Sequence, residues 1–413
     1  MLIDPFEETY SKIAFPDSGY QLLTLFRWWN AIEYWSPDRA QLPDLHRTLR
    51  AYIRPIALAK TKDEFTMEIM KLIGEARDTH ANLWSSMGVR PPSGQCAAPV
   101  ALRHIDSGFV VWDVRDTASG LQRGDVIESL DGHRANELAA QWSPFYDDSN
   151  PAARWRDLSH ELTSGSCSPV QIGILRNGQA LQLNVKRTHP TTAATVDFHD
   201  HGGDAFRMLS DDVAYLDLGS SKIADIPGYI ERAQHTRGMV LDLRDYPAQF
   251  MVFALGQSLV DKPTVFARLT APDLANPGAF EFVHEETLHP RQPRYTGRIV
   301  ILVDETSQSQ AEFTTMALRS VPGAVVVGSQ TAGADGDVST IPLPFGMSTM
   351  ISGLGVYTPQ GQSTQQVGIA RDVEAVPTAD GIAAGRDEVL EVGIRQILGG
   401  AASQADVEKM ARR

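Results

Sequence analysis

The sequence predicts an α/β domain in the C-terminal half, a small β-domain before it, and a helical region at the N-terminus. Three observations carry this. Apolar residues recur at helical spacing within the first ninety residues; short β-like runs separated by turn dipeptides follow; and beyond residue 212 strand and helix patterns alternate.

The helical region is read over residues 1–90. From Gln21 to Trp35 the residues Leu22, Leu25, Phe26, Trp29 and Ile32 fall on one helical face, and Lys62 to Ala76 repeats the pattern with Phe65, Ile69, Leu72 and Ile73. Asp63 is the expected N-cap of the second helix. Such a stripe is first of all a core face. Turn formers cluster between Pro91 and Gly108, and residues 91–190 then carry β-like runs at 109–114, 125–130, 170–175 and 181–185. Asp131-Gly132 and Asn177-Gly178 read as hairpin turns. The polar stretch 189–203 reads as a solvated linker; its His199-Asp200-His201 has no third or fourth metal ligand close by in sequence. The α/β domain is placed at 204–400, with strands at 213–218, 239–243, 299–303 and 324–327 and helices near 226–235, 250–259 and after Ser309; residues 401–413 form a charged tail.

Bulk properties narrow the function. With 413 residues, two or three domains are expected. The 42% hydrophobic and 21% charged composition is that of a globular protein. No apolar run reaches membrane-spanning length. The net charge of −14 is spread along the chain, without a Lys/Arg cluster to neutralise phosphates, which argues against nucleic acid as a partner. Cys96 and Cys167 provide neither a disulfide framework nor a zinc site, and are expected to be unrelated thiols. The N-terminus lacks the order of a secretion signal, which leaves a cytoplasmic chain or one whose leader is absent.

The chemistry concentrates at one corner. Ile299 to Val303 is a buried-strand run ended by Asp304-Glu305-Thr306-Ser307-Gln308-Ser309, after which Ala311, Glu312, Met316, Ala317 and Leu318 favour a helix. Ser309 thus sits where a hydroxyl points out of a tight bend and a helix N-terminus favours an oxyanion. Serine also caps helices, and local sequence leaves both readings open.

Val303 to Phe313, followed by Val325-Val326-Val327-Gly328-Ser329-Gln330-Thr331-Ala332-Gly333, resembles the nucleophile segment of the C-terminal processing, tail-specific and tricorn core serine peptidases. Leu241-Asp242-Leu243-Arg244 resembles that family's Asp-Leu-Arg strand end, and Gly120-Leu121-Gln122-Arg123-Gly124-Asp125-Val126-Ile127 with Leu130-Asp131-Gly132 resembles the core of a PDZ domain. The resemblance implies a ClpP/crotonase-like α/β core, a PDZ-like domain that adds a peptide terminus to a strand edge, and a serine peptidase with no cofactor and no metal, acting on peptide or protein substrates. Relatives of this layout are often exported, implying an extracytoplasmic chain whose leader is absent here.

By position in the motif Ser309 is the nucleophile, and Ser307 is not. The lysine-using branch would place its base after Thr331-Ala332-Gly333, where this chain has Ala334; Lys409 is the only lysine after Lys262. The histidine-using, tricorn-like branch carries its base in a Ser/Thr-His-Ala segment, matched here by Thr79-His80-Ala81. The resemblance therefore implies His80 as general base, Thr79 as a hydroxyl in the same network, and Gln365 at the position of the orienting glutamate. Gln365 can hydrogen-bond a ring nitrogen but supplies no negative charge, which leaves three readings: Gln365 suffices, another acid such as Glu312 or Asp337 serves, or the site is slow. The oxyanion hole would be the backbone N–H groups of Gln310 and Ala248, since Pro247 has none. Two competing functions are a catalytically silent binding protein on this scaffold and acyl transfer or hydrolysis on a small molecule. His284-Glu285-Glu286-Thr287-Leu288-His289 has its histidines five apart, the wrong spacing for a helical zinc site, and Gly-x-Ser-x-Gly is absent.

Overall fold

The structure is a computed structural model that describes residues 8–189, 199 and 203–412; Asp200 and His201 of the His-Asp-His stretch lie outside the described residues. Three N-terminal helices come first: α1 (Ser18–Trp35), α2 (Leu45–Leu58) and α3 (Lys62–Gly74). Asp17 caps α1 through its side chain, and α3 is capped by Thr61 in a reciprocal box with Glu64. Asp63, the expected cap, lies instead in the first turn of α3. The pattern did not reveal α2, whose Pro55 removes a helical N–H.

Next comes a sheet built from β1 (Val100–Ile105), β2 (Gly108–Val114), β3 (Val126–Leu130), β4 (His133–Arg134), β5 (Val170–Arg176) and β6 (Gln179–Val185), in the order β1-β2-β3-β5-β6 with β4 on β3. Asp131-Gly132 and Asn177-Gly178 join their strands as two-residue turns with positive φ at both positions, 48° and 83° in one and 49° and 77° in the other. Helices α4 (Ala135–Trp142) and α5 (Pro151–Glu161) interrupt the strands, and α5 packs on β1. Cys96 and Cys167 form a disulfide, which overturns the expectation of unrelated thiols. Backbone bonds between Cys96 and Gly165 bring the two sulfurs together across a separation that sequence spacing does not reveal.

The remaining chain supplies β7 (Phe206–Met208), β8 (Val213–Asp217), α6 (Ile226–Ala233), β9 (Gly238–Asp242), α7 (Val252–Gly256), β10 (Thr264–Pro272), β11 (Phe280–Leu288), β12 (Arg298–Val303), α8 (Gln310–Arg319), β13 (Val325–Gly328), β14 (Val338–Leu343), β15 (Met347–Ser352), β16 (Val356–Tyr357), β17 (Val373–Glu374), α9 (Ala379–Ala383), α10 (Glu388–Leu398) and α11 (Gln404–Met410). The central sheet runs β17-β13-β12-β9-β8-β7, parallel throughout except for β7. Side chains alternate across it: Ile299, Ile301 and Val303 pack with α6, α7 and α8, while Val300 and Leu302 pack with α10 and α11. Burial on both faces explains why these strands read as continuous apolar runs.

Two features were not expected. Strands β10 and β11 form a long hairpin, and His284 lies on β11, so the helical spacing argument does not apply to it. The hairpin β14–β15 shares a core with the N-terminal helices, where Ile341, Leu343, Met347 and Ile351 pack among Leu25, Trp28, Phe65 and Ile69. That shared core carries the loop after α3 to the end of β15.

Candidate active site

Ser309 stands at the N-cap of α8, directly beyond the loop that leaves β12, with φ 54° and ψ −116°. An N-cap residue is normally extended. Positive φ in a serine costs on the order of 1–3 kcal/mol and persists only where neighbours enforce it. Here the Ser309 N–H donates to Ala334 O at 3.0 Å and to Glu312 Oε2 at 3.2 Å. Fully buried Glu312 also accepts from Thr331 Oγ1 (2.5 Å), Gly333 N (2.8 Å) and Ala334 N (3.0 Å). Burial pushes its carboxyl above the ordinary range despite these donors. Glu312 therefore braces the bend and, among the described residues, forms no hydrogen bond or ion pair with His80. Ser307 is buried with its hydroxyl engaged, donating to Leu243 O at 2.7 Å and accepting from Asp304 N at 3.1 Å.

Beneath the bend lies a buried ionic network. Arg244 bonds Asp242 and Asp387, and Arg103 of β1 bonds Asp304 at 2.6 Å. Burial opposes charge on Asp304, but His199, Arg103 and Arg244 around it hold the carboxyl well below the usual range. His199, expected in a solvated linker, is buried with Nε2 2.8 Å from Asp304. Its signal was invisible because the partner is 105 positions away (304 minus 199).

His80 lies in the loop after α3. Its Nδ1 is 2.9 Å from Ser352 Oγ and 3.6 Å from Asp78 Oδ1. Ser352 Oγ donates to Asp78 Oδ1 at 3.0 Å, and Asp78 Oδ2 accepts from Ser352 N at 2.5 Å. Burial alone would raise the Asp78 carboxyl, yet the hydrogen bond and charge of His80 and the N–H groups of Ser352 and His80 outweigh it and leave it lowered. Because Asp78 is an acceptor and Ser352 has one proton, Ser352 Oγ takes its second bond from His80 Nδ1–H. The imidazole is thus assigned as the Nδ1–H tautomer, which puts the ring's lone pair on Nε2.

His80 and Ser309 line one cleft of about 830 Å³, together with Gln310, Trp84, Phe250, Leu269, Phe313, Met350 and Asp335. Burial and the neighbouring Glu312 push the Asp335 carboxyl well above its ordinary value, favouring its protonated form. Gln310 occupies the first position of α8, where a backbone N–H has no intrahelical acceptor. Its side chain reaches Gln249 O at 2.8 Å, tying the helix start to the turn after Arg244.

Three expected site residues stand elsewhere. Ala248 N–H donates to Leu218 O at 3.0 Å, so this donor is committed to the fold rather than to an oxyanion. Thr79 Oγ1 is bonded to Ser149, at 3.0 Å to both Oγ and N, and those bonds engage its hydroxyl. Gln365 is buried with Oε1 unpartnered among the described residues and does not line the cleft. Asp337 lines the cleft, but its carboxylate accepts from Val338 N at 3.1 Å. Sequence reasoning missed Asp78 and Ser352. Asp78 stood two residues before the proposed base, a local signal that could have been weighed; Ser352 is 272 positions from His80 and had none.

Residues 212–375 match the family described as peptidase family S41. Among solved structures, mature CPAF aligns with a TM-score of 0.73 at 14% identity, covering 93% of this chain and 99% of that chain. A protein of Parabacteroides merdae ATCC 43184 described as a peptidase gives 0.56 at 16% identity, covering 94% and 100%. The photosystem II D1 C-terminal processing protease gives 0.50 at 16% identity, covering 95% and 98%. At such identities the likeness is one of fold. No curated protein matches the chain.

Proposed function

We propose that this chain, whose residues 212–375 match peptidase family S41, is a serine-type peptidase that cleaves peptides or unstructured protein segments through an acyl-enzyme on Ser309, with His80 as general base. One observation supports the reading: His80, its Nδ1 engaged by the Ser352–Asp78 chain, lines the same cleft as Ser309. A serine hydroxyl needs such a base to become a competent nucleophile.

In the proposed cycle Ser309 Oγ attacks the scissile carbonyl carbon as its proton passes to His80 Nε2. Asp78 offsets the imidazolium charge, and the Gln310 N–H at the start of α8 faces the developing oxyanion. The imidazolium protonates the leaving amine as the C–N bond breaks. Water, losing a proton to the same nitrogen, then hydrolyses the ester and restores Ser309.

The residue 100–185 sheet, with α5 packed on edge strand β1, is consistent with a PDZ-like domain that helps to deliver substrate. The Cys96–Cys167 disulfide favours an oxidising, extracytoplasmic setting. A fluorophosphonate probe is expected to label Ser309, and Ser309→Ala to lose both labelling and peptide cleavage. Full cleavage by Ser309→Ala would overturn the proposal, and absence of both labelling and cleavage in the folded wild-type chain would favour a silent binding protein.

A further inference from the structure

The base and the nucleophile come from loops far apart in sequence, and catalysis tolerates only sub-ångström error in their separation. Two adjacent residues just before α5 touch the supports of both. Ser149 Oγ accepts from Thr79 N at 2.9 Å and from Thr79 Oγ1 at 3.0 Å, while Ser149 N donates to Thr79 Oγ1 at 3.0 Å. Thr79 is the residue before His80. Asn150 Nδ2 donates to Thr331 O at 2.9 Å and to Gln366 O at 3.3 Å. The turn from Thr331 to Ala334 is the one that supplies Glu312 with three donors and accepts the Ser309 N–H. Thr79, Ser149, Asn150 and Thr331 are all buried, so these bonds form without competition from solvent.

Resting on the Ser309–His80 reading, we infer that Ser149 and Asn150 are positioning residues that set the register between the His80 loop and the turn bracing Ser309. One peptide bond joins the two grips, so the link is as stiff as a link between separate loops can be. Further along the same helix, Arg156 Nη1 donates to Glu305 O and to Gln308 Oε1, both at 3.0 Å, gripping the loop that leads into Ser309. The β-domain thus serves the site as a rigid bracket, independently of whether it also binds peptide.

Asn150 also caps α5, its Oδ1 accepting from Ala153 N at 3.0 Å. Asn150→Ser keeps a capping oxygen and removes the reach to Thr331. Thr79→Val removes the hydroxyl shared with Ser149 at nearly constant volume, and Thr79→Ser keeps it. Steady-state peptide cleavage is measured on the full chain, with circular dichroism to establish that each variant is folded at the assay temperature. Asn150→Ser and Thr79→Val are expected to lower kcat by roughly ten- to a hundredfold with KM within about threefold, and Thr79→Ser to restore most of it. If Asn150→Ser does not fold, the Thr79 pair decides. Folded variants with kcat within about twofold of wild type, or a loss of kcat that Thr79→Ser fails to rescue, overturn the inference. An inactive Ser309→Ala beside fully active Asn150→Ser and Thr79→Val fails the bracket alone; an active Ser309→Ala fails the underlying reading as well.

Discussion

Asp78→Asn tests the charge that the proposed mechanism places behind His80. The carboxylate lies 3.6 Å from His80 Nδ1 and is bridged to it by Ser352 Oγ. With an effective permittivity of about 20, unit charges at that separation attract by on the order of 4 kcal/mol. That attraction exists only once the imidazole is charged, so it acts on the transition state and not on bound substrate. At 1.36 kcal/mol per decade its loss corresponds to a fall in kcat of about a thousandfold, with KM little changed. Ser352→Ala leaves the charge and removes a neutral hydrogen bond, for which roughly five- to tenfold is expected. The assay is kcat and KM for a fluorogenic peptide, with the rate of fluorophosphonate labelling as a substrate-independent check. The folded Asp78 pKa is lowered, so its contribution to stability is full above the unfolded carboxylate range and is lost as pH falls. Asp78→Asn should therefore also flatten acid unfolding, and kcat must be compared above that range. A folded Asp78→Asn variant with kcat within about threefold of wild type would refute the orienting role.

Removing the disulfide with Cys96→Ser is expected to cost about 4 kcal/mol, from a loop closed over a separation of 71 residues, and a reductant should shift the wild-type unfolding midpoint toward that of the variant. Burial raises the Asp38 pKa from 3.8 to about 6. Between those values the folded chain holds a proton that the unfolded chain releases, so stability falls as pH rises, by up to about 3 kcal/mol. Asp38→Asn keeps an acceptor for Gln41 and Ser363, and urea unfolding at pH 4.5 and 7.5 should show that decline reduced. Glu312→Gln places an amide donor against the N–H groups that the carboxylate now accepts, and should slow Ser309 labelling at least tenfold while lowering the urea midpoint.

What the sequence made legible was local. Ser309 could be placed at a strand-to-helix corner because the apolar run Ile299–Val303 and the helix formers after it are contiguous. The two-residue turns at Asp131 and Asn177 were readable for the same reason. Helix α2 was hidden by Pro55, and β10–β11 by a hairpin whose outer strand is largely exposed and lacks clean alternation. The differences from expectation at the site concern side-chain and N–H partners, which distant residues supply. Ser149 takes the Thr79 hydroxyl, Leu218 takes the Ala248 N–H, and Ser352 reaches His80 only because β14–β15 packs among the N-terminal helices.

On the proposed mechanism, a glutamine at position 365 is expected to leave activity intact. In the proposed mechanism the imidazolium needs a negative charge near Nδ1, and the carboxylate of Asp78, in the His80 loop itself, lies 3.6 Å away. Gln365 sits in a different setting: its neighbours Ser363 and Thr364 bond Asp38 and Asp335, two carboxyls that burial already pushes upward. A buried glutamate there would be added beside two carboxyls already pushed upward, and would itself favour the neutral form. Gln365→Glu is therefore expected to leave kcat at pH 7.5 unimproved and to lower stability, whereas Gln365→Ala should retain kcat within about threefold. A tenfold gain in the first variant, or a loss in the second matching that of Asp78→Asn, would move the orienting role back to position 365.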